Sequence, residues 1–348
     1  MKKEKFSKEV FHRLIDGILA PNHYLRNESL PKLYIEDLYG VLSLASKKLS
    51  QSKFEQLVQK KLQMMTSEFD EAQYIQNACE LSAMADYLSS TKYSFEYEKR
   101  ITEKKDVDFS LAMEDRVFNV EVKCSSYNGR TVTPTDGQIQ VQFLDRAPTN
   151  ELRNEILENI SQRLGEQDLS INEEKNLDNV LGDFLVSTQA KVKSAPLSDS
   201  NILLICCNDE LDVQQWRNYL LGHGGFFTDN SRRHPDDYNR VDFVLLTNLY
   251  NKHVRAYEGE VFGNSWSLTN AFCLLYPNKF SLRNMSVVDC IEEFSKVSEV
   301  FPNHTMDFES YFANKEVPEG ENLLIKRMCL AVSFFSDNLK KSGRIYFK

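Results

Sequence analysis

No apolar run in this 348-residue chain is long enough to cross a bilayer. The longest, Met328–Phe335, falls far short of the roughly 20 residues that a spanning helix needs. The first residues, Met1-Lys2-Lys3-Glu4-Lys5, run into a charged amphipathic stretch with no apolar centre of the signal-peptide kind, so the expectation is a cytoplasmic protein with no membrane partner. No C-x-x-C occurs. The 7 cysteines are odd in number and mostly sit among apolar neighbours, which predicts reduced, buried thiols. The 6 histidines form no H-x-H or H-x-x-x-H pair, so zinc has no support from spacing. A Walker A loop, a dinucleotide fingerprint, internal repeats and low-complexity segments are also absent from the sequence. Basic residues are outnumbered, and the net charge of −9 weighs against a protein that coats nucleic acid without regard to sequence. It leaves room for acidic residues gathered at one cation-holding site. With 41% hydrophobic and 27% charged residues, the balance is that of an ordinary globular protein.

Residues 5–65 carry helical periodicity throughout. Phe11, Leu14, Ile15 and Ile18 form a stripe that Pro21 ends, and further helices are expected over Ile35–Leu49 and Phe54–Met65. Another amphipathic helix is expected over 68–90, with Tyr74, Ala78, Leu81, Ala85 and Leu88 on one face. The period then falls to two. Phe95–Ile101, Asp106–Met113 and Arg116–Cys124 read as three successive strands, Tyr127–Asp136 as a loop and Gln138–Leu144 as a further strand. Residues 150–193 read as acidic helices with a solvated face. Asn201–Cys207 and Val241–Thr247 suit strands buried on both faces, with a helix over Val213–Leu221 and a glycine-rich loop at Gly222–Gly225 between them. The end of the chain reads as mainly helical, with a short strand at Ile345–Phe347. The pattern predicts an α/β fold with a mixed sheet flanked by helices. Three regions are expected: an N-terminal helical region (1–67), a core (68–275) and a C-terminal helical region (276–348).

The chemistry concentrates in two adjacent strands. In Phe118-Asn119-Val120-Glu121-Val122-Lys123, alternation sets Asn119, Glu121 and Lys123 on one face. In the preceding strand Val107, Phe109 and Leu111 are expected to share a face, with Asp106, Asp108 and Ser110 opposite. An antiparallel hairpin in which Met113 faces Arg116 places Asp108 opposite Glu121 and Asp106 opposite Lys123. Directly opposed side chains have Cβ atoms roughly 4.5–5.5 Å apart. Two carboxylates that close repel unless a cation holds them, and Mg2+ suits a site of one or two carboxylates completed by water and phosphate. The bland alternative is a surface ion pair between Asp106 and Lys123, which would leave the facing Asp108 and Glu121 unexplained. Two other E-x-K triplets, Glu103-Lys104-Lys105 and Glu173-Glu174-Lys175, lie in wholly polar surroundings and read as solvated charge.

A helix, three strands, and an aspartate separated by twelve residues from E-x-K together resemble the PD-(D/E)XK nuclease superfamily, over roughly residues 68–210. Val107 stands where that family has its proline. The resemblance implies a restriction-endonuclease-like sheet and Mg2+-dependent hydrolysis of phosphodiesters, with Mn2+ able to substitute. The metal would be held by Asp108, Glu121 and the Val122 carbonyl, and Lys123 would orient the attacking water. Glu80, on the preceding helix, is the candidate for the glutamate that many members add. Glu71 is the runner-up, and an ordinary helix-edge carboxylate is the competing reading. DNA is the implied substrate, with RNA or a non-cutting binding protein as alternatives. Restriction, phage defence and repair are the implied roles, and the helical regions offer surfaces for a homodimer or a partner protein.

Weaker signals complete the reading. His223-Gly224-Gly225 has the composition of an esterase oxyanion loop, but no G-x-S-x-G accompanies it, and Gly263-Asn264-Ser265-Trp266-Ser267 is only a near miss. Gly222–Gly225 is read instead as a connector or a loop that touches substrate backbone. Arg232-Arg233-His234, and Lys340-Lys341 with Arg344, are candidate phosphate contacts or plain solvated surface.

Overall fold

The computed structural model describes residues 6–283, apart from 104, 114–115, 125–137, 144–154, 156–157, 163–169, 176, 232 and 261–262, together with 304–306. Helix α1 (Lys8–Gly17) starts at Ser7, whose side chain accepts the Val10 amide at 3.3 Å. Helices α2 (Lys32–Lys48) and α3 (Gln51–Gln56) follow, and α3 runs into a π-turn at Leu57–Lys61. Helix α4 (Glu71–Leu88) is capped by Asp70, which accepts the Gln73 amide at 3.1 Å. Next come β1 (Ser94–Arg100), β2 (Asp106–Met113) and β3 (Arg116–Cys124). Strands β4 (Gln138–Phe143) and β5 (Ser170–Lys175) form a separate parallel pair. The chain continues through α5 (Leu177–Val192), β6 (Ser200–Cys206), α6 (Glu210–Leu221), β7 (Phe243–Thr247), α7 (Leu249–Tyr257), β8 (Cys273–Pro277) and the short β9 (His304–Met306).

The main sheet has the order β1-β2-β3-β6-β7-β8-β9. Its pairs β1–β2, β2–β3 and β7–β8 are antiparallel, and β3–β6, β6–β7 and β8–β9 are parallel. Strand β6 is buried along its whole length, as its unbroken apolar run requires. Ile202 and Leu204 join Phe109, Leu111, Phe118, Val120 and Val122 in a core with α4 and the N-terminal helices. Leu203 and Ile205 face the other way, into a second core with Leu181 and Leu185 of α5 and Val213, Trp216 and Leu220 of α6. The protein is therefore an α/β molecule with a mixed open sheet between two helical layers.

The N-terminal helices are part of the first core. Tyr24 and Tyr34 reach α7 through the backbone oxygen and the ring of His253, and Trp266 donates to Tyr34 O at 3.0 Å. The Trp266 ring lies 4.8 Å from that of His253 and 5.0 Å from that of Tyr34, and it is 1% exposed. Removing so large a buried ring leaves a cavity, so Trp266→Ala is expected to cost about 3–5 kcal/mol in denaturant unfolding. A loss below about 1 kcal/mol would show that this junction contributes little.

Several expectations are corrected. Residues 150–193 are not helical throughout, because Ser170–Lys175 is a strand. A partner distant in sequence, β4, supplies its hydrogen bonds, and tertiary pairing outweighs local pattern. Residues 276–348 include the end of β8 and the strand β9, and α7 had no counterpart in the periodic pattern. Gly222–Gly225 ends α6: Gly222 N bonds Asn218 O, and Phe226 N and Phe227 N bond Tyr219 O and Leu220 O, each at 2.8 Å. A Cβ at Gly225 would meet Leu220 O at 2.7 Å, so packing against the helix end demands glycine. The expected loop at Tyr127–Asp136, the strand at Ile345–Phe347 and the Lys340-Lys341-Arg344 cluster lie outside the described residues.

Candidate functional site

The hairpin takes the register that places Met113 opposite Arg116, and the pairing runs through Ser110↔Asn119 to Phe109↔Val120. It stops one step short of Asp108 and Glu121. The other side of β2 breaks at the same point: Tyr97 pairs with Phe109 and Lys99 with Val107, while the intervening Glu98–Asp108 pair is skipped. Glu98 there adopts φ +48°, a left-handed conformation uncommon for a glutamate. The local rotation corrects the expected alternation on β2. Val107 packs with Val192 and Ala195, whereas Phe109 and Leu111 pack in the core under α4. On β3 the alternation is regular, with Phe118, Val120 and Val122 in the α4 core.

The break frees the Asp108 side chain for a role its backbone would otherwise fill. Asp108 Oδ2 accepts the Val122 amide at 2.7 Å, which ties the carboxyl to the E-x-K strand. Glu121 is 1% exposed. Its Oε1 has the Lys123 ammonium at 2.6 Å and the Lys191 ammonium at 2.7 Å. Lys191 also donates to Oε2 at 2.8 Å. Lys123 therefore pairs with Glu121 on its own strand and not with Asp106, contrary to the surface-pair alternative. On the α4 side, Glu80 Oε1 accepts from Lys61 at 2.6 Å, and Lys61 also lies 3.1 Å from Glu98 and over the Tyr97 ring.

The electrostatics join these groups. Burial pushes the Asp108 carboxyl well above the ordinary carboxylate value, and the charges of Glu80 and Glu121 push it further, against opposition from Lys191 and the Val122 amide. Glu80 is also raised, first by burial and then by Glu98 and Glu121, with Lys61 opposing. Burial works against the Lys191 charge, but Glu121 and then Asp108 outweigh it and raise this ammonium. Asp108 thus senses Glu80 from α4, Glu121 from the neighbouring strand β3 and Lys191 from α5.

Among the predicted residues, the structure brings Asp108, Glu121, Val122 and Lys123 together, with Glu80 in electrostatic reach. Glu71 lies in the first turn of α4, more than two turns from Glu80. The three carboxylates do not close into a metal-sized triangle. Among the described residues, the one set of three ligand atoms mutually within 4.8 Å is Cys79, Cys124 and Cys206. Lys191 and Lys61 were not anticipated. Each becomes informative only through a contact with a carboxylate distant in sequence. Arg233 lies 4.0 Å from Asp183, and His234 pairs with Asp236 at 3.3 Å.

The residues fit a divalent cation on one specific count: the charge of the buried Glu121 carboxylate pushes up the Asp108 carboxyl, so two acids share a region that a cation would neutralise, in place of the ammonium groups now at 2.6 and 2.7 Å from Glu121 Oε1. Among the described residues, no helix is long and apolar enough to cross a membrane. Comparison with known proteins finds no matching family model, curated protein or solved structure. What can be said of its class therefore rests on the fold and the site: an α/β protein with a buried carboxylate–lysine cluster where β2 and β3 separate.

Proposed function

We propose that this chain is a Mg2+-dependent nuclease of the PD-(D/E)XK type that hydrolyses phosphodiester bonds in DNA. The supporting observation is the cluster itself. Asp108 and Glu121 lie just past the end of the β2–β3 pairing and are linked through their charges, with Lys123 beside Glu121. The order of α4, three antiparallel strands, α5 and a parallel β6 supports the same reading. Asp108, Glu121 and the Val122 carbonyl are the residues that would hold the metal, and Mn2+ is expected to substitute. Bound there, Mg2+ would supply charge neutralisation at the phosphate and a more acidic attacking water. The Val122 amide fixes the Asp108 carboxyl through the bond at 2.7 Å. Lys123 places an ammonium against Glu121, in position to orient the water and to meet the charge that grows on phosphate oxygens. Lys191 adds a second ammonium from the opposite layer.

The experiment is Mg2+-dependent cleavage of duplex DNA, single-stranded DNA and RNA by wild type, Asp108→Ala and Lys123→Ala. We expect wild type to cut DNA and each variant to lose about 10²–10³-fold or more. Equal cleavage by all three would reject the assignment, and cleavage of RNA alone would move the substrate.

One observation favours a second reading, a protein of this fold that binds without cutting. Lys123 and Lys191 already neutralise Glu121, and Lys61 neutralises Glu80. No heat on titrating Mg2+ or Mn2+, together with no cleavage, would favour it.

A further inference from the structure

The three-sulfur cluster is unused by the proposed reaction. Cys79 comes from α4, Cys124 from the last position of β3 and Cys206 from the last position of β6. Cys124 and Cys206 are register partners on adjacent parallel strands, and Cys79 reaches them from the helix above. Their ligand atoms all lie within 4.8 Å of one another. All three are free thiols. Cys79 and Cys206 are each 0% exposed, in an apolar core.

A single buried cysteine behaves as a small hydrophobe and needs no further account. A disulfide would use two sulfurs and leave the third without a role. Three sulfurs converging from three elements match a cation instead. Metal–sulfur bonds of about 2.3 Å around a trigonal centre place the sulfurs about 4.0 Å apart, so the cluster would contract by less than about 1 Å. No histidine or carboxylate oxygen among the described residues joins the set within that limit. Structural zinc sites take four ligands, and magnesium takes oxygen. An all-sulfur set of three selects a soft cation.

We propose that Cys79, Cys124 and Cys206 form a binding site for one soft, thiophilic cation of the cuprous class, which ties α4 to the ends of β3 and β6. The site lies one residue from both Glu80 and Lys123, on the α4 side of the sheet, and the inference does not rest on the nuclease reading.

The test titrates reduced, anaerobic full-length protein against a coloured cuprous chelator. Wild type is expected to withdraw one equivalent of copper, with X-ray absorption reporting an all-sulfur shell of three. Cys124→Ser and Cys206→Ser should lose that equivalent, and Cys273→Ser should keep it. Copper left entirely on the chelator by folded wild type would overturn the proposal, and so would loss of binding in Cys273→Ser. The wild-type competition decides even if a cluster variant fails to fold, and cleavage is measured nowhere in it.

Discussion

Asp108→Asn is expected to make the metal-free protein more stable near neutral pH, while removing its response to Mg2+. The Asp108 carboxyl is raised by burial and by Glu80 and Glu121, so the folded state holds its proton more tightly than the unfolded chain. Such a group favours the fold fully below its unfolded value of about 3.9. That contribution fades as pH rises toward the folded value, above which the ionised carboxylate weighs against the fold. Asparagine removes the charge, and its carbonyl can still accept the Val122 amide that Oδ2 now takes at 2.7 Å. The melting temperature of the variant should therefore exceed that of wild type by a margin that widens from pH 5 to pH 8. Mg2+ should reverse the order. A ligand that binds only the folded state contributes about 2.7 kcal/mol at a hundredfold excess over its Kd. Wild type should gain this and Asp108→Asn should not. A variant that is less stable than wild type at every pH, with the same Mg2+ response, would remove Asp108 from the site.

Glu121→Ala should be among the most damaging single substitutions. Glu121 is 1% exposed and has two ammonium groups at 2.6 and 2.7 Å. Breaking a buried pair leaves an uncompensated charge, at about 3–5 kcal/mol. Lys123 and Lys191 retain side-chain exposures of 20% and 25%, so solvent screens part of that loss. About 2–4 kcal/mol is expected in urea unfolding. Adding Lys191→Met should recover part of it, because the second orphaned ammonium is then gone, and the coupling in the double-mutant cycle should exceed about 0.5 kcal/mol. Strict additivity of the two changes would mean that the lysines are solvated independently of Glu121.

The geometry behind both predictions was legible only in part. Alternation on β3 placed Glu121 and Lys123 on the face opposite Phe118, Val120 and Val122, because a strand's side-chain period is two wherever the ladder is regular. The hairpin register was readable from the link between β2 and β3, and it holds through Phe109↔Val120. The same rule failed at Val107, where the ladder skips Glu98 and Asp108. A φ of +48° at Glu98 has no marker in the local sequence, since glutamate carries no preference for that region.

By itself the sequence determined much of the alternation of helical and extended segments, the two-sided burial of the strand expected over Asn201–Cys207, and the β2–β3 register as far as Phe109↔Val120. These follow from residue-by-residue periodicity, which local chain geometry converts directly into faces. Tertiary structure alone decided that Lys191 and Lys61 would neutralise Glu121 and Glu80, that Cys79, Cys124 and Cys206 would meet, and that Ser170–Lys175 would be a strand. Each of those depends on a partner separated by many residues, and no local pattern encodes which distant group will arrive.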